Sequence, residues 1–334
     1  MDFNAFDSIN PGQFKIDAQA QVGRGDIHSA IYGFMPKADA KNLNATLNQY
    51  LPKKPILAHV KAEGNMQQLE VSVLDAAIEG FANLKSNAKL EDNQLSANAL
   101  LKALGSTIKL AADYHLQKDI YMADLDIKNL VVNKFVPLDE HCLINGSLLA
   151  RGQGFDFLSK QTFMNAMVAL PNAHYGKMDL STVAANATLW RGELLADINC
   201  DNEQLKTTFE LMANLGNVIS NSIGKSVKES VAGKLQLNLP YADIEAMGFI
   251  DTTMVVSTNG TVDFSVANWS GRRPVFLIDS NVNGLKVVTY QDSITTTDFM
   301  FHALTTTDST AIRFKTGDLT VDFDSPGNLF VLSE

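Results

Sequence analysis

Apolar and polar residues alternate along most of the chain, and a period of two leaves few ways for it to fold. Ile108, Leu110, Ala112, Tyr114 and Leu116 alternate with Lys109, Ala111, Asp113 and His115, and Tyr121, Ala123, Leu125 and Ile127 alternate with Met122, Asp124, Asp126 and Lys128. The same pattern carries Phe14, Ile16, Ala18, Ala20 and Val22, then Leu205, Thr207, Phe209 and Leu211, then Leu235, Leu237 and Leu239, then Leu319, Val321 and Phe323. Successive side chains of a strand point to opposite faces, so each of these segments has one apolar and one polar face. A sheet with one wetted face is characteristically antiparallel. The expected fold class is therefore all-β, mainly antiparallel.

Turn signals divide the alternation at short intervals, among them "EGNMQQ", "LEDNQ", "LQKD", "NGS", "WRGE", "CDNE", "STNGT" and "DSPGN". Asn259-Gly260, between "TMVVST" and "TVDFSV", reads as a tight hairpin turn, because that dipeptide accepts the positive φ angles such turns need. Spacing of four residues occurs in two places. Leu43, Leu47 and Leu51 precede Pro52, and Leu215, Ile219, Ile223, Val227 and Val231 suggest a helix over 214–232, weakened by Gly216 and Gly224. A weak repeat of pattern, an apolar segment followed by a strand and a glycine turn, recurs from Asn42, from Asp126 and from Ala242. It divides the chain into the end of a preceding β unit at 1–36 and three further units at 37–124, 125–241 and 242–334.

Composition narrows the function classes. Hydrophobic residues make up 46% and charged residues 19%, a globular balance, but aromatics are only 8%. A net charge of -10 repels phosphate backbones and argues against nucleic acid as a partner. No window holds the roughly twenty apolar residues of a membrane-spanning helix. Alternation begins almost at the N-terminus, and another short apolar run closes the chain, so the chain is expected to be a piece of a longer protein. Cys142 and Cys200 lie in no C-x-x-C pair and read as semi-buried free thiols.

Catalysis requires groups that converge, and none are evident. The six histidines are scattered without metal-ligand spacing, and no P-loop, G-x-S-x-G elbow or Cys-His nucleophile signature occurs. Arg24-Gly25-Asp26 in "GRGDIHS" reads as a polar turn rather than an adhesion motif. The stretch "KFVPLDEHCLINGSLLARGQG" looks most chemical, with Asp139, Glu140, His141 and Cys142 adjacent. Neighbours on a strand face opposite ways, however, so these four can all converge on a metal only if the segment is a loop; no second ligand cluster lies elsewhere in the sequence, and the glycine spacing does not fit a phosphate loop. The passage reads as a connection after Pro137, a strand "CLING", a turn at Gly146 and a strand "SLLARG". Neither a catalytic residue, a metal site nor a cofactor is expected.

Half-apolar strands can fill a closed interior or line an open trough, and alternation alone does not separate the two. An open apolar lining would shelter acyl chains, gaining about 0.8 kcal/mol for each methylene removed from water.

Several segments carry a family resemblance. The run "LPKKPILAHVKAEGNMQQLEVSVLDAAIEGFANLKSNAKL", the turn "GSLLARGQGFD", the strand "YGKMDLSTVAANATL" with Tyr175 and Gly176, the hairpin "RGELLADINCDNEQL" and the opening "LNLPYADIEAMGF" resemble the repetitive middle of TamB and AsmA-like envelope proteins of the Bacteroidetes type. The resemblance covers roughly residues 10 to 330. It implies an elongated, curled β-sheet groove, a β-taco, with one or two short helices, lying in the periplasm as part of a parent anchored in the inner membrane. It further implies that the groove carries phospholipid acyl chains between the two membranes, with an outer-membrane barrel protein as partner through a C-terminal part. The residues holding the apolar phase, and so the candidate groove lining, are Ile108, Leu110, Ala112, Tyr114, Leu205, Phe209 and Leu211. Two other classes compete: a scaffold that pairs its sheet edge with unfolded outer-membrane strands, and a secreted β-solenoid adhesin.

Overall fold

The computed structural model describes residues 12–34, 54–65, 67–215, 230–267, 274–296 and 298–329. The chain divides into two units, Met1–Ala150 and Arg151–Glu334. Both are antiparallel β throughout their described strands.

In the first unit, β1 (Phe14–Val22) leads into a short helix, α1 (Arg24–Phe34), followed by β2 (Ile56–Gly64), β3 (Leu69–Ile78), β4 (Ala82–Glu91), β5 (Gln94–Ala103), β6 (Ser106–His115) and β7 (Ile120–Val131). Each strand pairs with the next, so the sheet is a simple meander. Two of its hairpins close in two residues. Asp92 and Asn93 lie at φ 49° and 63°, and Leu104 and Gly105 at 50° and 90°, the paired positive angles that match the twist of the flanking strands. The unit boundary falls within β8 (Cys142–Gln153).

The second unit begins with β9 (Phe163–Tyr175), whose end folds back through the two-residue β10 (Met178–Asp179). The meander continues through β11 (Val183–Trp190), β12 (Glu193–Asp201), β13 (Leu205–Leu215), β14 (Ser230–Asp243), β15 (Met254–Ala267) and β16 (Val275–Thr289). It ends with β18 (Phe299–Thr305), β19 (Ser309–Thr316) and β20 (Leu319–Pro326), while β17 (Ser293–Thr295) pairs, among the described residues, with the end of β16 alone. Pro240 lies where the β14–β15 register shifts, between Leu239 and Ala242. A bulge tolerates a residue that cannot donate to the ladder.

Four sequence expectations are corrected. Asn259-Gly260 is not a hairpin turn: β15 runs unbroken through it, with Asn259 opposite Asn238 and Gly260 opposite Leu237 and Val282. Pairing on both sides overrides the local turn preference. Glycine is needed there for another reason, since a Cβ would lie 2.9 Å from the carbonyl oxygen of Asn281. Gly146 likewise sits buried inside a continuous β8, so "CLING" and "SLLARG" are one strand. The Arg24-Gly25-Asp26 stretch opens α1 rather than forming a turn, with the Asp26 carboxylate accepting the Gly23 N–H at 2.7 Å. Acceptance of a free N–H at a helix start is a capping interaction. Finally, the ends of the predicted 214–232 helix are strand, because Asn214 pairs with Ala232 and Leu215 with Val231. Its middle, 216–229, and the Leu43, Leu47, Leu51 segment lie outside the described residues.

Candidate functional site

Residues directly opposed on neighbouring strands share a face, so the registers show what each sheet presents. In the first unit one row across β1 to β7 reads Ala20, Ala58, Ala76, Leu84, Leu101, Ile108, Ile127. The adjacent row on that face reads Ala18, Val60, Leu74, Ser86, Ala99, Leu110, Leu125. The second unit repeats the arrangement. From β9 to β20 one row passes through Ala166, Ala187, Ala196, Leu211, Leu235, Val262, Ser280, Phe301, Phe314 and Val321. Each unit therefore has one almost entirely apolar face, several strands wide.

These faces are not packed like a protein core. Along β4 the apolar phase is half-buried and the polar phase exposed. Leu110 is 39% exposed and Ile198 40%, far above the near-zero values of interior leucine and isoleucine. The buried apolar residues are mostly alanines, such as Ala62, Ala103, Ala213 and Ala303; Leu189, at 1%, is the largest apolar side chain fully withdrawn from water among the described residues. α1 has 11 residues and is thus about 16 Å long. A seven-strand sheet is about 29 Å wide, so that helix cannot roof it.

The opposite faces are mainly polar, although Leu57, Leu195 and Met212 are exposed there. In the first unit Asp75, Lys85, Leu100, Lys109 and Asp126 form a row and help line a shallow hollow of about 560 Å³. Beside it the Asp17 carboxylate meets His59 at 2.8 Å and Lys61 at 3.1 Å, and Lys15 meets Glu63 at 2.9 Å. Hydrogen bonds from His59 and then Lys61 hold the Asp17 carboxyl below its ordinary value. In the second unit the corresponding row is Lys234, Asp263, Asp279, His302, Arg313 and Asp322. Arg313 donates two bonds of 2.8 Å to the Asp324 carboxylate. Charges of both signs alternate on exposed strands, which keeps such a face wet and disfavours stacking of sheets. Among the described residues no group of three or more His, Cys, Asp or Glu side chains could hold a metal ion.

No protein family, curated protein or solved structure matches the chain.

The seven residues expected to line a groove all lie on the apolar faces, in two groups. Ile108, Leu110, Ala112 and Tyr114 are consecutive alternate positions of β6 on the apolar face of the first unit. Leu205, Phe209 and Leu211 are positions of β13 in the second. Tyr114 places its ring on the apolar face and donates its hydroxyl to Asp119 at 2.6 Å, a bond that raises the phenol's pKa. Sequence reasoning did not single out the large side chains of the second face, Phe264, Phe301 and Phe314, although each holds the same alternating phase as Val262 and Ile312. The adjacent residues of "LDEHC" do not converge: Asp139, Glu140 and His141 are exposed ahead of β8. Asn133 fixes that connection, donating to the Glu140 carbonyl and accepting from the Cys142 N–H, each at 2.7 Å. Cys142 and Cys200 are free thiols, and burial pushes the Cys200 pKa up.

Proposed function

We propose that this chain is a segment of a TamB/AsmA-like, periplasm-spanning protein whose apolar sheet faces shelter phospholipid acyl chains passing between the inner and outer membranes. The observation that carries this reading is a several-strand apolar face left half-open in each unit. A face of that kind is costly in water unless something apolar covers it. Acyl chains suit it because it presents many methyl and methylene groups, few polar atoms to demand orientation, and no convergent reactive groups. No catalytic step is proposed. Photocrosslinking from Leu110 and Phe209, with native mass spectrometry of the purified chain, tests the reading. Lipid adducts at both positions are expected; crosslinks confined to protein, with no lipid copurifying, would overturn it.

A second reading is favoured by one observation, the exposure of β20 on both faces outside its single described partner β19. An open strand edge is a template for pairing with another extended chain, as in assembly of outer-membrane strands. Under that reading, a proline at Asp322 abolishes activity while charges introduced on the apolar face do not.

A further inference from the structure

Where β9 begins, the second unit carries a cluster of large apolar side chains that no strand pairing explains. Phe155, Phe157 and Leu158 are 58%, 47% and 42% exposed within four residues of loop, and Trp190, at the end of β11, is 53% exposed. Trp190 lies opposite Phe163, the first residue after that loop to enter the sheet, and the two rings meet edge-to-face at 5.7 Å. The loop is not loose. Asp156 organises it, its carboxylate accepting the Leu158 N–H at 3.1 Å and its carbonyl accepting the Ser159 N–H at 2.9 Å and the Thr162 hydroxyl. Gly154 enters at φ +76°, where a Cβ would be strained and would lie 3.0 Å from Thr162 Oγ1. The backbone is thus fixed while its apolar side chains project outward.

We propose that this loop and Trp190 form a contact with a bilayer surface bearing anionic headgroups. Tryptophan and phenylalanine flanked by cations is the composition that settles at headgroup depth, rings toward the acyl region and charges toward the phosphates. The cations are present: Arg191 lies 5.4 Å from the Trp190 ring centroid, Lys160 lies in the loop, and Arg151 precedes it near the end of β8. Against these three stand the carboxylates of Asp156, which accepts the Leu158 N–H, and of Glu193, opposite Trp190. Three cations against two carboxylates leave a local positive balance on a chain of net charge -10, the sign an anionic headgroup surface attracts. The contact is independent of the acyl-chain reading, which concerns the sheet faces.

Trp190 is its own reporter. With Trp269→Phe it becomes the sole tryptophan, and its emission is followed on adding vesicles of phosphatidylcholine alone or of phosphatidylcholine with phosphatidylglycerol. A blue shift and quenching by bromine-labelled acyl chains are expected with the anionic vesicles, with several-fold less with the neutral ones. The double variant Phe157→Glu, Leu158→Glu is expected to lower vesicle co-sedimentation several-fold. Phe249→Glu, in the exposed β14–β15 connection beside the β9–β10 turn at the other end of the sheet, leaves it unchanged. An unmoved Trp190 spectrum, or equal loss in the Phe249 variant, would overturn the proposal, as would the absence of quenching by bromine-labelled acyl chains. Lipid crosslinking from Leu110 is unaffected by the loop variants, so failure here and failure of the acyl-chain reading are distinguishable.

Discussion

The ring of Phe264 lies over Gly233 on the neighbouring strand, its Cζ 2.8 Å from where a Cβ at position 233 would sit. The Met212 carbonyl oxygen and the Ala213 Cβ close the same space from the other side, at 2.5 and 2.9 Å. The apolar face of the second unit is thus shaped at this point by a missing side chain. Gly233→Ala is expected to displace the ring and to destabilise the unit by about 1–3 kcal/mol, the usual cost of overpacking. The measurement is the urea midpoint, and Phe264→Leu combined with Gly233→Ala should recover part of the loss.

Leu110 tests whether the half-open face is used. It is too exposed for its replacement to cost what a buried leucine costs, so Leu110→Glu should leave the thermal midpoint within a few degrees of wild type. A charge in the middle of the face removes shelter from several methylenes of any acyl chain lying there, each worth about 0.8 kcal/mol. Copurifying lipid is expected to fall several-fold. Lys109→Gln, one residue along and facing the other way, should change neither quantity.

What the sequence made legible was phase. Alternation located β1, β6, β7, β13, β14 and β20, and it put Leu110 and Phe209 on the apolar side, because the direction of a side chain on a strand follows from position parity alone. Whether those side chains are covered depends on what else packs there, and no local pattern encodes that. Turn chemistry was legible at Asp92-Asn93 and Arg191-Gly192 and misleading at Asn259-Gly260. The dipeptide is compatible with a hairpin, but here two flanking strands claim its backbone and glycine serves a close approach to Asn281. Least visible were two hydrogen-bonding asparagines, Asn133 and Asn202, which act through groups that only the folded chain brings near; the Asn202 side chain bonds the N–H groups of Gln204 and Leu205 and the carbonyls of Asp179 and Ser181.

Acid should act on the first unit partly through Asp17. Its carboxyl pKa is lowered in the folded state by bonds from His59 and Lys61. A depressed folded value means that the ionised group stabilises the fold at pH above its unfolded value, about 3.8, and that this contribution disappears as pH falls through the lower folded value. The site is exposed, so the effect is small. Wild type should be more stable than Asp17→Asn near neutral pH, and the gap in urea midpoint should close in strong acid. A gap that widens on acidification would contradict the assigned direction.

Asn202 should matter more than its position in a surface turn suggests. Its side-chain oxygen accepts from the N–H groups of Gln204 at 2.9 Å and Leu205 at 2.8 Å, and its amide donates to the carbonyls of Asp179 at 3.0 Å and Ser181 at 3.1 Å. Gln204, held in place by this turn, then donates to the carbonyls of Lys177 and Ala246, each at 3.0 Å, tying the β9–β10 and β14–β15 connections together. Truncation to alanine leaves two part-buried carbonyls and two N–H groups without these partners, at about 1 kcal/mol for each bond that water does not replace. Asn202→Ala is therefore expected to cost about 2 kcal/mol in urea unfolding. Asn202→Asp keeps both acceptor bonds but loses both donors and places a carboxylate against two carbonyls, so it should be no better than alanine. Faster amide exchange at Gln204 and Leu205 in the alanine variant, with exchange at Asn133 unchanged, would locate the loss in this turn.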